Sequence, residues 1–202
     1  MNRINSLFQE KKKDVLNIYF TAGYPKLNST VAILSALEDA GADIVEIGMP
    51  YSDPIADGPT IQESNQQALE SGMSLKVLFE QLQGIRETVS LPIVLMGYIN
   101  PVIQFGIENF CKKCQEVGVD GLILPDLPMD EYVEDYATTF KKYGLLNTFL
   151  ITPQTSEERI RQIDDNSDGF IYMVSSASIT GGTSGISAEM EAYFNRVNAM
   201  NL

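Results

Sequence analysis

The chain has 202 residues, 44% hydrophobic and 20% charged, the make-up of one globular domain with its own core. A formal net charge of −13 argues against nucleic acid or an anionic membrane as partner, and no apolar run approaches the ~20 residues of a membrane span. Histidine is absent, which excludes imidazole triads and imidazole metal sites and leaves acid–base work to Asp, Glu, Tyr, Lys or Cys.

Met1 to Asp14 carries charge but no apolar core of signal-peptide length, so the expected location is cytoplasmic. Ile4 to Lys12 is expected to be a short helix, and Leu16 to Thr21 the first strand, ended by Ala22-Gly23-Tyr24-Pro25. Val31, Leu34, Leu37 and Ala40 lie at helical spacing within Ser29 to Ala40. Asp43 to Met49 is the second strand, an apolar run with Glu46 in its middle. The loop after it is punctuated by Pro50, Pro54, Gly58 and Pro59 and carries Asp53 and Asp57. Two helical patterns, Thr60 to Glu70 and Ser74 to Val89, lead into the third strand, Ile93 to Tyr98.

A helix over Glu108 to Val117 holds Cys111 and Cys114. A redox pair of that spacing normally opens a helix just after a strand. This pair falls where the helical pattern is already under way, so it reads as two small apolar residues on one face. Then come a strand (Gly121 to Leu124), a helix (Tyr132 to Tyr143), a strand (Asn147 to Thr152), a helix (Ser156 to Asp164) and a strand (Phe170 to Ser175). A polar, Gly-rich loop, Ser176 to Ser187, precedes a helix over Ala188 to Met200.

The pattern is βα repeated six times, with glycines after the helices as left-handed caps. Near-continuous apolar strands alternating with amphipathic helices mean a parallel sheet covered by helices. No GxGxxG follows the first strand, which disfavours a dinucleotide-binding fold. The expected architecture is α/β, a single (β/α)8 TIM-barrel domain over residues 1–202, of which six units are present and the C-terminal part is missing.

Glu46 stands out chemically. No Lys or Arg lies inside any predicted strand to pair with it. A carboxylate in an apolar setting has its pKa raised by desolvation, which suits it to hold and release a proton near neutral pH. Asp57 lies in the loop at the strand's carboxyl end, where parallel α/β proteins place their chemistry. Taken alone, Asp57-Gly58 also reads as a turn, and so does Asp53. Asp126 could be catalytic or a loop anchor, and Tyr172 a core aromatic.

The segment Glu46-Ile47-Gly48-Met49-Pro50-Tyr51-Ser52-Asp53-Pro54, running on to Ala56-Asp57-Gly58-Pro59, resembles the signature of the tryptophan synthase α subunit family. So do Phe20-Thr21-Ala22-Gly23-Tyr24-Pro25, Leu95 to Pro101 and Gly121 to Pro128. The resemblance implies a lyase of tryptophan biosynthesis that cleaves indole-3-glycerol phosphate to indole and glyceraldehyde 3-phosphate. It implies no metal and no cofactor in this subunit. It also implies a pyridoxal-phosphate-dependent β subunit as partner in an α2β2 assembly, with Pro50 to Pro54 and Asn100-Pro101 on the β-facing side.

By position, Glu46 matches the family's general acid/base and Asp57 the carboxylate that bonds the indole N–H. Phe20, Ile61, Met96, Tyr98 and Ile123 match the indole slot, and Tyr172 the tyrosine beside the glycerol hydroxyls. Thr180 matches the residue that orients Asp57, and Gly181 a backbone donor to the phosphate. The family's seventh and eighth strands, with their phosphate-holding loops, have no counterpart before Leu202. Two readings follow: an enzyme given as a fragment, or a catalytically silent domain that binds a β-type partner.

Overall fold

The computed structural model describes residues 1–54, 57–175 and 187–202. Helix α1 (Arg3–Glu10) is followed by β1 (Asn17–Thr21), α2 (Ser29–Asp39) and β2 (Ile44–Gly48). Next come α3 (Pro59–Glu70), α4 (Leu75–Gln81), a 3-10 turn (Ile85–Glu87) and β3 (Ile93–Met96). Helices α5 (Ile99–Phe105) and α6 (Ile107–Val117) lead to β4 (Gly121–Ile123). Then follow α7 (Met129–Glu131), a π turn (Tyr132–Tyr136), α8 (Ala137–Lys142), β5 (Leu146–Thr148) and β6 (Leu150–Ile151). The last elements are α9 (Glu157–Asn166), β7 (Tyr172–Met173) and α10 (Ala188–Asn198).

β1 to β5 form one parallel sheet in sequence order, and β6 pairs in parallel with β7. This is the expected βα succession. The predicted fifth strand is divided at Phe149: its first half pairs with β4 and its second half with β7. Staggering of this kind lets tilted strands curve round a barrel. Tyr132 to Tyr143 is not one regular helix but contains the π turn.

The register separates two faces. Phe20, Ile47, Leu95 and Leu122 lie side by side and belong to the large apolar core under the helices. Tyr19, Glu46, Val94 and Gly121 form the adjacent row, and Thr21, Gly48, Met96 and Ile123 the row after the next shift of two. These point to the inside of the curved sheet, where Ile4, Ile44, Val94 and Ile123 make a separate buried cluster. Helix α1 thus plugs the amino-terminal end of the sheet. Gly121 is needed there: a Cβ on it would lie 2.9 Å from Ile4 Cδ1.

The plug is held by charge as well. Asp120, 3% exposed, accepts from Arg3 Nη1 at 3.0 Å, Arg86 Nη2 at 2.7 Å and the Ile93 N–H at 2.9 Å. Asn2 donates to the Asp120 and Gly144 carbonyls, and its side-chain oxygen caps Ile4 N–H. Asp120→Ala would strand the largely buried Arg86 guanidinium and should cost about 3–5 kcal/mol. Urea denaturation measures this, and a loss below about 1 kcal/mol would show that the clamp contributes little.

Cys111 and Cys114 are free and buried on the inner face of α6, and burial pushes the Cys111 thiol up to about 12. They are core residues, as the sequence indicates. Among the described residues no helix is long and apolar enough to cross a membrane.

Candidate active site

At the carboxyl ends of the strands lies a cleft of about 400 Å³. Glu46, at the centre of β2, faces it while only 2% exposed. Burial pushes its carboxyl pKa up, and a hydrogen bond donated by Asn17 Nδ2 to Oε1 pulls the other way. Among the described residues no Lys or Arg forms an ion pair with it. Its proton affinity is therefore set by desolvation against one neutral donor.

Asp57 shares the same cleft from the loop after β2. That loop is fastened by the Asp57 N–H to the Pro54 carbonyl (3.2 Å) and by Gln62 Nε2 to the Asp57 carbonyl (2.8 Å). Pro59 opens α3 at its first position, where a missing N–H costs nothing. Burial raises the Asp57 pKa, and a hydrogen bond from Tyr98 lowers it. The Tyr98 ring in turn stacks on Tyr51, with centroids 4.8 Å apart. Asp53 accepts from its neighbour Ser52 in an exposed turn.

Ile61, Met96, Tyr98 and Tyr172 line the cleft with the two carboxylates. Phe20 does not. The register turns it to the helix side, where it packs against the outer core, and Tyr19 takes the inward position directly opposite Glu46. Gly48 makes room for that ring, since a Cβ there would lie 2.1 Å from the Tyr19 hydroxyl. Ile123 points inward but is wholly buried in the cluster beneath, and Pro125 lines the cleft instead. Thr180 and Gly181 lie outside the described residues, as does the Gly-rich loop that carries them.

Sequence reading also missed Leu150, Val174 and Asn65 in the lining. Asn65 is 4% exposed, and its carboxamide oxygen has no partner among the described residues. Its position one helical turn after Ile61 was the available signal. Asp126 is an anchor: its carboxylate accepts the Ile99 N–H at 2.9 and 3.2 Å and so caps α5. Among the described residues no cluster of three His, Cys, Asp or Glu side chains could hold a metal ion.

Two carboxylates sharing a largely apolar cleft can move a proton and stabilise a cation without a metal. The family model described as tryptophan synthase alpha chain matches residues 6–202. Over its whole length the chain is 63% identical to the tryptophan synthase alpha chain of Flavobacterium psychrophilum, and 54% identical to that of Bacteroides thetaiotaomicron. It spans 79% of the length of each. Tryptophan synthase subunit alpha from Legionella pneumophila superposes with a TM-score of 0.87 at 34% identity, over 99% of this chain and 75% of that one. Tryptophan synthase from M. tuberculosis in its aminoacrylate-bound form superposes at 0.84 and 30% identity, over 99% and 77%. The chain belongs to the tryptophan synthase alpha chain family, the TIM-barrel indole-3-glycerol-phosphate lyases of tryptophan biosynthesis.

Proposed function

We propose that Glu46 and Asp57 carry the retro-aldol cleavage of indole-3-glycerol phosphate. Glu46 protonates indole C3 and takes the proton of the glycerol hydroxyl as the carbon–carbon bond breaks, releasing indole and glyceraldehyde 3-phosphate. Asp57 accepts a hydrogen bond from the indole N–H and stabilises the positive charge that builds on the ring. Met96, Ile61, Leu150 and the Tyr19 ring supply apolar walls for the indole, and Tyr172 stands on the glycerol side. The observation that carries this reading is the buried, cation-free Glu46 carboxylate opening onto the cleft it shares with Asp57.

The reaction needs no cofactor of this chain. Its partner is a β subunit that carries pyridoxal phosphate, in an α2β2 assembly, met by the loops at Pro50 to Pro54 and Asn100-Pro101. The solved tryptophan synthases among the similar structures support this assignment. Two free, buried thiols suit the reducing cytoplasm.

The pH profile tests the assignment. In the free enzyme Glu46 must carry the proton that it gives to indole C3, which leaves it ionised to take the hydroxyl proton, and burial raises its pKa. The kcat/KM for indole release should therefore fall about tenfold per pH unit above a basic limb set by Glu46, which lies above the ordinary glutamate value of about 4.3. A kcat/KM that does not fall as pH rises would overturn the assignment.

A further inference from the structure

We propose that Asn17 positions Glu46 and hydrogen-bonds it in both of its protonation states. The inference rests on the reading of Glu46 as the acid/base. Asn17 opens β1 and pairs with Ile44, two residues before Glu46, so both side chains share the inner face. Its Nδ2 donates to Glu46 Oε1. Its other polar atom, Oδ1, is buried and has no partner among the described residues.

A carboxamide is nearly symmetric in shape: half a turn about its last bond exchanges donor and acceptor. With Glu46 ionised, the Asn17 N–H donates to it. Once Glu46 has taken a proton from substrate, its O–H can donate to the vacant Oδ1. A neutral amide thus holds the carboxyl through a cycle in which its charge alternates. A Lys or Arg at the same place would pin Glu46 as the anion and oppose protonation.

The other groups around Glu46 do not supply this. Tyr19 on β1 and Tyr172 on β7 both feel its charge and have their own pKa values raised by burial. Asp57 and Tyr98 line the same cleft and bond each other. Val94 and Gly121, next in the row on β3 and β4, are apolar. No cationic side chain lines the cleft among the described residues.

Asn17→Leu keeps the volume and removes both hydrogen bonds. It should move the basic limb of kcat/KM up by about one pH unit, the excess of a hydrogen bond to the charged carboxylate over one to the neutral carboxyl. Above the wild-type limb, kcat/KM should exceed that of the wild type by up to about tenfold per unit of that shift, with the circular dichroism of the wild type. Asn17→Asp should move the limb at least as far, since two neighbouring carboxyls resist ionising together.

A limb unmoved in Asn17→Leu would overturn the proposal. Full activity in Glu46→Gln would instead overturn the reading of Glu46 itself. Should Asn17→Leu fail to fold, NMR of the unsubstituted chain decides. The Asn17 carboxamide ¹⁵N resonance should titrate at the midpoint of the Glu46 carboxyl and stay fixed in Glu46→Gln. A carboxamide that ignores the Glu46 titration would overturn the proposal.

Discussion

Glu46→Gln is expected to abolish indole release while the fold persists. The substitution nearly preserves volume and keeps an acceptor for the Asn17 N–H, but it removes the proton carrier. Loss of one general acid–base group is worth about 10²–10⁴ in rate, and the proposed cycle uses Glu46 in two steps, which places the loss at the upper end. Stability should move the other way. The folded-state pKa of Glu46 is raised, so its protonation stabilises the fold. That contribution is fully present below the unfolded pKa and is lost as pH rises through the folded one. Gln is neutral throughout, so the variant should melt above wild type at neutral pH and converge with it in acid. Steady-state indole release and thermal melts against pH measure both effects. Turnover within tenfold of wild type would remove Glu46 from the mechanism.

Asp57→Asn is expected to lower kcat by about 10²–10³ while KM changes little. The charge of Asp57 matters most when the indole ring becomes cationic, so its loss falls on the transition state more than on the bound substrate. The variant retains a side-chain oxygen for the Tyr98 hydroxyl and a backbone carbonyl for Gln62, so the loop should keep its place. A normal kcat with a raised KM would show Asp57 to be a uniform binding contact.

The alternation of apolar strands and amphipathic helices was legible in the sequence because it is local. Periodicity marks each element, and Glu46 is conspicuous as the one charge inside an apolar run. Asp57 was legible only through the family signature, since Asp-Gly by itself reads as a turn. Short elements escaped. Helix α5 was not anticipated, because its cap comes from Asp126, 27 residues further on, rather than from the residue before it.

Which side chains meet across the sheet was decided by the tertiary structure. Phe20, which the family signature puts in the indole slot, lies one residue from Tyr19, the side chain that lines the cleft. In a strand, one residue exchanges the helix-facing side for the inner one. The pairing of Tyr19 with Glu46 depends on β1 and β2 aligning in register, and Gly48 permits it by leaving space for the Tyr19 ring. Asn17 illustrates the same limit. Nothing in the residues around it marks it as a partner of a carboxylate 29 positions away. Strand registry brings the two together, and burial there raises the proton affinity that the chemistry needs.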